Sequence, residues 1–181
     1  MTSFGYIMVT YFSVLVIGGL SLLPIAPKLI WNASASVPIG LYTVDTDHPL
    51  EITDLVAVRA PEPLAGFMEE RGYLPRGVPL LKRVAALPRQ EVCRDGSSIS
   101  VDGIPMAEAL DNDRARRPLP AWQGCRRVAD GEIFLLNWDV RDSFDSRYFG
   151  PVRKSSVIGR AVPLLTDESG DGRFEWRAPT R

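Results

Sequence analysis

The chain is poor in the residues from which metal and imidazole sites are built: His48 is its sole histidine, and Cys93 and Cys125 are its only cysteines among 181 residues. No four-ligand zinc site of Cys and His can be assembled from that set. Net charge is nearly absent too, with 22 acidic against 21 basic residues. The chain therefore lacks the positive field with which a nucleic-acid binder collects phosphates, and no nucleic-acid partner is expected. Charge of either sign is missing from residues 1–27, and the 4–26 stretch is mostly aliphatic, aromatic and small. As a helix it is long enough for about 30 Å of hydrocarbon, so one N-terminal transmembrane helix is expected within an anchor at 1–30, with the lipid bilayer as a partner. Lys28 and Trp31 supply the cation and the interfacial aromatic of a water boundary. The rival is a cleaved signal peptide, for which Ala33-Ser34-Ala35 offers a small-residue cleavage site. A basic start and a shorter apolar core would accompany that reading, and the uncleaved anchor is preferred. With no Lys or Arg on the amino-terminal flank, the charge bias leaves the orientation open.

What is present beyond the anchor is a series of short apolar runs broken by Pro, Gly and Asp, the pattern of a strand-rich domain. Candidate strands fall at 40–44, 55–60, 80–86, 92–94, 97–101, 133–137 and 157–163. Arg94-Asp95-Gly96 and Val101-Asp102-Gly103 are hairpin signals, because Asp-Gly tolerates the positive backbone angles of tight turns. Residues 63–71 read as a short helix with Leu64, Phe67 and Met68 on one face, whose plain role is core packing and whose second role is contact with membrane or substrate. Residues 105–123 read as a long polar excursion in which Arg114, Arg116 and Arg117 are solvated, and 166–181 as a mobile polar tail. There is no internal repeat and no βαβ alternation. The expected architecture is a mainly β, antiparallel-sheet domain over 31–165 behind one anchor. Two readings stand for Cys93 and Cys125: buried free thiols, or a disulfide outside the cytoplasm. The disulfide would close a loop of about 30 residues, worth roughly 3–4 kcal/mol by chain entropy.

Ser36 follows the apolar stretch at once, and Lys82 sits within Pro79-Leu80-Leu81-Lys82-Arg83-Val84-Ala85. A serine hydroxyl is a poor nucleophile until a base takes its proton, and a lysine serves as that base only when neutral. At an ordinary pKa of about 10.4, about one lysine in a few thousand is neutral at pH 7, so burial is required. On a strand, Leu80, Lys82 and Val84 share one face while Arg83 points the other way, which places the amine on an apolar side. The competing reading is a lysine that snorkels to water. An acyl intermediate also needs oxyanion donors, for which the Ser36 N–H and the Ser34 hydroxyl, two residues back on an extended segment, are available. Taken alone, the same serines are turn residues before Pro38.

Three segments occur in order and span nearly the whole domain: 32–42, with Ser36 followed by Pro38, Gly40 and Tyr42; Leu81-Lys82-Arg83-Val84; and Ser143-Phe144-Asp145-Ser146-Arg147-Tyr148-Phe149-Gly150, followed by Ile158-Gly159-Arg160-Ala161. Together they resemble the membrane-bound type I signal peptidase superfamily, and its conjugative-transfer TraF-type branch in particular. Val37 stands where ordinary signal peptidases usually carry Met. The resemblance implies Ser36 as nucleophile, Lys82 as general base and Ser143 as a hydroxyl bonded to the lysine amine. It implies Ser34 as an oxyanion donor and Asp145 with Arg147 as an ion pair near the site, Asp145 standing as a further catalytic candidate. Without the resemblance, that pair reads equally as an exposed one of little worth. The resemblance also implies a mostly β catalytic domain on the periplasmic face of a bacterial inner membrane. Its substrate is an exported precursor polypeptide cut after small residues, and no cofactor is called for.

Attack by Ser36 expels an amine and leaves an ester, and the next nucleophile decides the product. Water gives plain cleavage, whereas the substrate's own amino terminus, held close, closes a ring. TraF-like proteins are associated with pilin maturation of this kind, so conjugative pilin is the leading substrate. The alternatives are a general signal peptidase and a non-catalytic scaffold of a secretion apparatus. A self-cleaving Ser/Lys repressor is disfavoured by the anchor and by the lack of a DNA-binding segment. A Ser/His site on His48, with Asp45 or Asp47 orienting the ring, competes with the simpler reading of Asp47-His48-Pro49 as a turn.

Overall fold

The computed structural model describes residues 3–21 and 27–179. Helix α1, Ser3–Ser21, is 19 residues long, or about 28 Å at 1.5 Å per residue. It is apolar without a polar face, and Phe4, Ile7, Val9, Val14 and Val16 are all more than half exposed. Among the described residues no helix is long and apolar enough to cross a membrane. The expectation of a spanning helix over 4–26 is therefore not met among the described residues, outside which 22–26 lie.

The strands, in chain order, are β1 (Leu29–Asn32), β2 (Ile39–Asp45), β3 (Leu55–Val58), β4 (Leu80–Ala86), β5 (Glu91–Asp95), β6 (Ser98–Val101), β7 (Ile104–Glu108), β8 (Gly124–Arg127), β9 (Glu132–Leu136), β10 (Val152–Arg153), β11 (Val157–Asp167) and β12 (Glu175–Trp176). Helix α2 (Glu62–Glu70) joins β3 to β4, and α3 (Ser146–Phe149) lies between β9 and β10. The fold is mainly β and its strand pairs are antiparallel. The large sheet runs β1-β2-β11-β3-β4-β9-β10 with β12 on β11, and a smaller sheet runs β7-β6-β5-β8.

Burial follows position in the sheet. Strand β2 lies nearer an edge and alternates, with Gly40, Tyr42 and Val44 buried, the signature of a strand covered on one face. Strands β3 and β4 are central and almost wholly buried. Leu55, Ala57 and Leu81 pack with Tyr42 and Val44 in one cluster, whereas Val56, Leu80 and Val84 pack with Met68, Ile133 and Leu135 in another. Lys82 shares the face of Leu80 and Val84, which places an amine on the apolar side of the sheet. A third cluster, built on Val92, Ile99, Phe134 and Leu136, welds the small sheet to the large one.

All seven expected strands are found, and five more that the sequence does not announce. Strand β7 carries Pro105 and β8 is exposed along its length; β8 is held by pairing, with Cys93 opposite Cys125 across β5 and β8 and the two sulfurs joined. Asp102 and Gly103 both have positive φ, as the β6–β7 hairpin demands. Gly40 is required for another reason: a Cβ there would stand 2.2 Å from the Leu165 carbonyl oxygen on β11. The segment expected to be a mobile tail is folded back, since β12 pairs with β11 and Phe174 rests against Trp31 with ring centroids 6.0 Å apart. The arginines of the 105–123 excursion divide: Arg114 and Arg116 are exposed as expected, Arg114 pairing with Asp142, whereas Arg117 is half-buried and binds Asp113.

Candidate active site

Ser36 lies in the turn 33–38 between β1 and β2. Asn32 organises that turn from inside: its Nδ2 donates to the carbonyls of Ser34 (2.8 Å), Val37 (3.1 Å) and Pro38 (3.0 Å), and its Oδ1 accepts from the N–H and hydroxyl of Ser34. The Tyr42 hydroxyl donates to the Pro38 carbonyl at 2.6 Å. Burial, reinforced by Glu168 and opposed by Arg83, raises the Tyr42 phenol far above its usual range and keeps it a neutral donor. The turn presents Ser36 half-exposed, with its Oγ 3.1 Å from Ser34 Oγ.

Lys82 is the opposite case, 3% exposed at the centre of β4. Its Nζ donates to Ser143 Oγ at 2.7 Å. Burial lowers its pKa from 10.5 to about 8; Asp145 pulls the other way, Arg147 adds to the lowering, and Asp142 opposes it. About one molecule in ten then carries a neutral amine at pH 7, against about one in a few thousand for a free lysine.

The loop that brings Ser143 to Lys82 is set by a buried ion pair. Asp145 and Arg147 are both fully buried and meet as a fork, Nε to Oδ1 at 2.8 Å and Nη2 to Oδ2 at 3.0 Å. Asp145 also caps α3 by accepting from the Arg147 N–H at 3.2 Å. Arg147 donates onward to the carbonyls of Glu108, Asn137, Val140 and Arg141, which ties the β9–α3 connection into a knot. Buried charges need such complete partnering, and the exposed-pair reading of Asp145 and Arg147 does not hold.

Ser34, Ser36, Lys82 and Ser143 line one cavity of about 850 Å³. Asp145 and Arg147 lie behind its wall, and no hydrogen bond joins either to Ser36 or Lys82. Nor does one join Ser36 Oγ to Lys82 Nζ: among the described residues each hydroxyl and amine is bonded within its own half, Ser36 to Ser34 and Lys82 to Ser143. His48 stands elsewhere, its Nε2 3.2 Å from Arg160 Nη1 and 3.9 Å from Asp54 Oδ2; the structure does not bring it to the serine turn. Met68 of α2 lines the cavity as well as packing in the core.

Two residues that organise the site go unassigned by the sequence reading. Asn32 is one. Asn137 is the other: it is 3% exposed, and its Nδ2 donates to the Ser36 carbonyl at 2.7 Å. The available signal was an amide ending the apolar run Ile133-Phe134-Leu135-Leu136, since a buried polar side chain must be hydrogen-bonded.

The model of one protein family, described as signal peptidase, peptidase S26, matches residues 2–165. The plasmid transfer protein TraF of Escherichia coli is 34% identical over 145 residues, covering 75% of this chain and 81% of its own. The conjugal transfer protein TraF of Agrobacterium fabrum is 36% identical over 147 residues with the same coverages. A probable signal peptidase I-1 of a Synechocystis strain is 30% identical over 115 residues, 64% of this chain and 54% of that protein. A solved signal peptidase I from Enterococcus faecalis aligns with 64% of this chain and 98% of its own at 24% identity and a TM-score of 0.40, too distant to add to the argument. The match to the family model and the identity to the TraF proteins lead to one conclusion: this chain belongs to the signal peptidase family, peptidase S26.

Proposed function

We propose that the chain is a Ser/Lys endopeptidase that processes an exported precursor, conjugative pilin in the first place. The single observation that carries this reading is the buried Lys82, its pKa lowered to about 8, in the cavity that Ser36 also lines. Lys82 Nζ takes the Ser36 proton as Oγ attacks the scissile carbonyl, then returns it to the departing amine, leaving an ester on Ser36. The Ser34 hydroxyl and the Ser36 N–H stabilise the oxyanion. Ser143 fixes the direction of the lysine amine, and the Asp145–Arg147 pair supports Ser143 from behind. Water, or the amino terminus of the substrate, then attacks the ester and frees the Ser36 hydroxyl. When the amino terminus attacks, a peptide bond forms and a ring results.

Helix α1, apolar on all sides, is placed against lipid, because such a helix has no polar face to turn to water. The Cys93–Cys125 disulfide suits an oxidising compartment, in accord with a catalytic domain on the periplasmic side of a bacterial inner membrane. Pilin rests on the relatives named for plasmid and conjugal transfer.

Membranes bearing the wild type or Ser36→Ala are incubated with candidate pilin, and the product is weighed. A trimmed chain made by the wild type alone supports the peptidase, and the further loss of one water marks a ring. Accumulation of other secreted preproteins when the protein is removed would point to a general signal peptidase. Full complementation of transfer by both Ser36→Ala and Lys82→Ala would leave only a scaffold.

A further inference from the structure

We propose that Asn137 is a positioning residue for the Ser36–Lys82 reaction, its side-chain amide setting the serine turn against the lysine strand. The inference rests on the peptidase reading above.

The turn 33–38 is bound to itself and to its own hairpin: every hydrogen bond made there by Asn32 and Tyr42 spans six residues or fewer. Those bonds fix its shape but not its distance from β4. Along the sheet the path from β2 to β4 passes through β11 and β3, and the β2–β11 and β11–β3 pairings each carry a register shift. Among the described residues one hydrogen bond crosses directly from the turn to the lysine side, Asn137 Nδ2 to the Ser36 carbonyl at 2.7 Å.

The same amide holds both neighbours of the lysine. Its second N–H reaches the Leu81 carbonyl at 3.2 Å, and its Oδ1 accepts from the Arg83 N–H at 3.1 Å. The ladder between β4 and β9 pairs Arg83 with Leu136 and goes no further. Beyond that point the Asn137 side chain supplies the donor and acceptor of a peptide group, while the main chain departs toward Ser143. Its own N–H donates to Asp145 Oδ2 at 3.0 Å, and its carbonyl accepts from Arg147 Nη2 at 2.9 Å. The buried ion pair thus fixes Asn137, and Asn137 fixes the backbones of both Ser36 and Lys82. No other type of side chain of this length offers two N–H donors and an acceptor at once. Asp keeps the acceptor and loses both donors.

The test uses the full chain in detergent with p-nitrophenyl acetate, whose nitrophenolate burst counts competent sites by amplitude and reports Ser36 acylation by rate. Asn137→Ala is expected to keep most of the amplitude and slow the burst about 100-fold, the penalty of a misplacement near 1 Å. Asn137→Asp is expected to slow it similarly and to move the pH midpoint of acylation above about 8, because an added anion favours the ammonium form. A merely structural residue would lower amplitude and melting temperature and leave both per-site rate and midpoint unchanged. That result in either variant overturns the proposal, and the near-isosteric Asp variant decides should the Ala variant fail to fold. Ser36→Ala separates the two readings: a burst that survives it sinks the peptidase itself, whereas a burst lost there but unchanged per site in the Asn137 variants sinks only the positioning role.

Discussion

The serine turn and the lysine strand meet in one cavity but are built on opposite plans. The turn is half-exposed and bonded mostly within its own hairpin, while β4 is buried nearly throughout and laddered on both edges, to β3 and β9. The proposed peptidase mechanism gives the difference a chemical reason: a nucleophilic serine would have to meet a polypeptide arriving from solvent, whereas a lysine base works only where water cannot stabilise its ammonium form. One half is shaped for access and the other for dryness.

The largest effect expected from attacking this division is on catalysis. Ser36→Ala or Lys82→Met should each lower precursor cleavage by about 10⁴-fold, at the upper end of what one acid–base group contributes, as read by initial rates. In the wild type those rates should climb with pH and reach half their plateau near the Lys82 pKa of about 8. Next in size is the support behind the cavity. Asp145→Asn strips a buried guanidinium of its countercharge and should destabilise the fold by about 3–5 kcal/mol in urea titrations. Reduction of Cys93–Cys125 should cost roughly 3–4 kcal/mol by the same measurement, while the burst rate per competent site stays put, because the small sheet carries none of the reactive groups.

A gain should come from the dry half. Lys82 has a depressed pKa in the folded state, so below about 8 both states bind the proton and the fold bears the expense of a buried charge. Between about 8 and 10.5 the folded state sheds that proton first, and wild-type stability rises with pH. Lys82→Met should therefore stabilise the protein by as much as about 3 kcal/mol at pH 7, with the advantage vanishing by about pH 10.5. Smallest is Ser143→Ala, which removes the one hydrogen-bond partner that the amine has among the described residues. It should slow cleavage by roughly 10- to 100-fold, equivalent to about 1–3 kcal/mol for an unpaired buried group.

The dry half was the more legible of the two in sequence. Lys82 announces itself by its apolar neighbours, and the central strands β3, β4 and β9 by their short, mostly apolar runs. The wet half gave less warning. Asn32 and Asn137 act through amides bonded to backbone carbonyls, and which carbonyls approach is settled by pairings between segments as distant as Ser36 and Asn137. Strands β8 and β12 have no apolar periodicity because neither is buried; the first is recruited by the strand opposite and its sulfur link, the second by Trp31 and β11. The apolar N-terminal run was visible at once, and its described part, Ser3–Ser21, is helical.

The excursion between β7 and β8 contributes Leu110, Asp113 and Arg117 to the lining of the cavity that Ser36, Lys82 and Ser143 also line. The proposed reacting groups and this part of the lining are thus written in different stretches of the polypeptide. Under the peptidase reading, lengthening, shortening or recharging the excursion would recut the groove for another substrate while Ser36 and Lys82 kept their places.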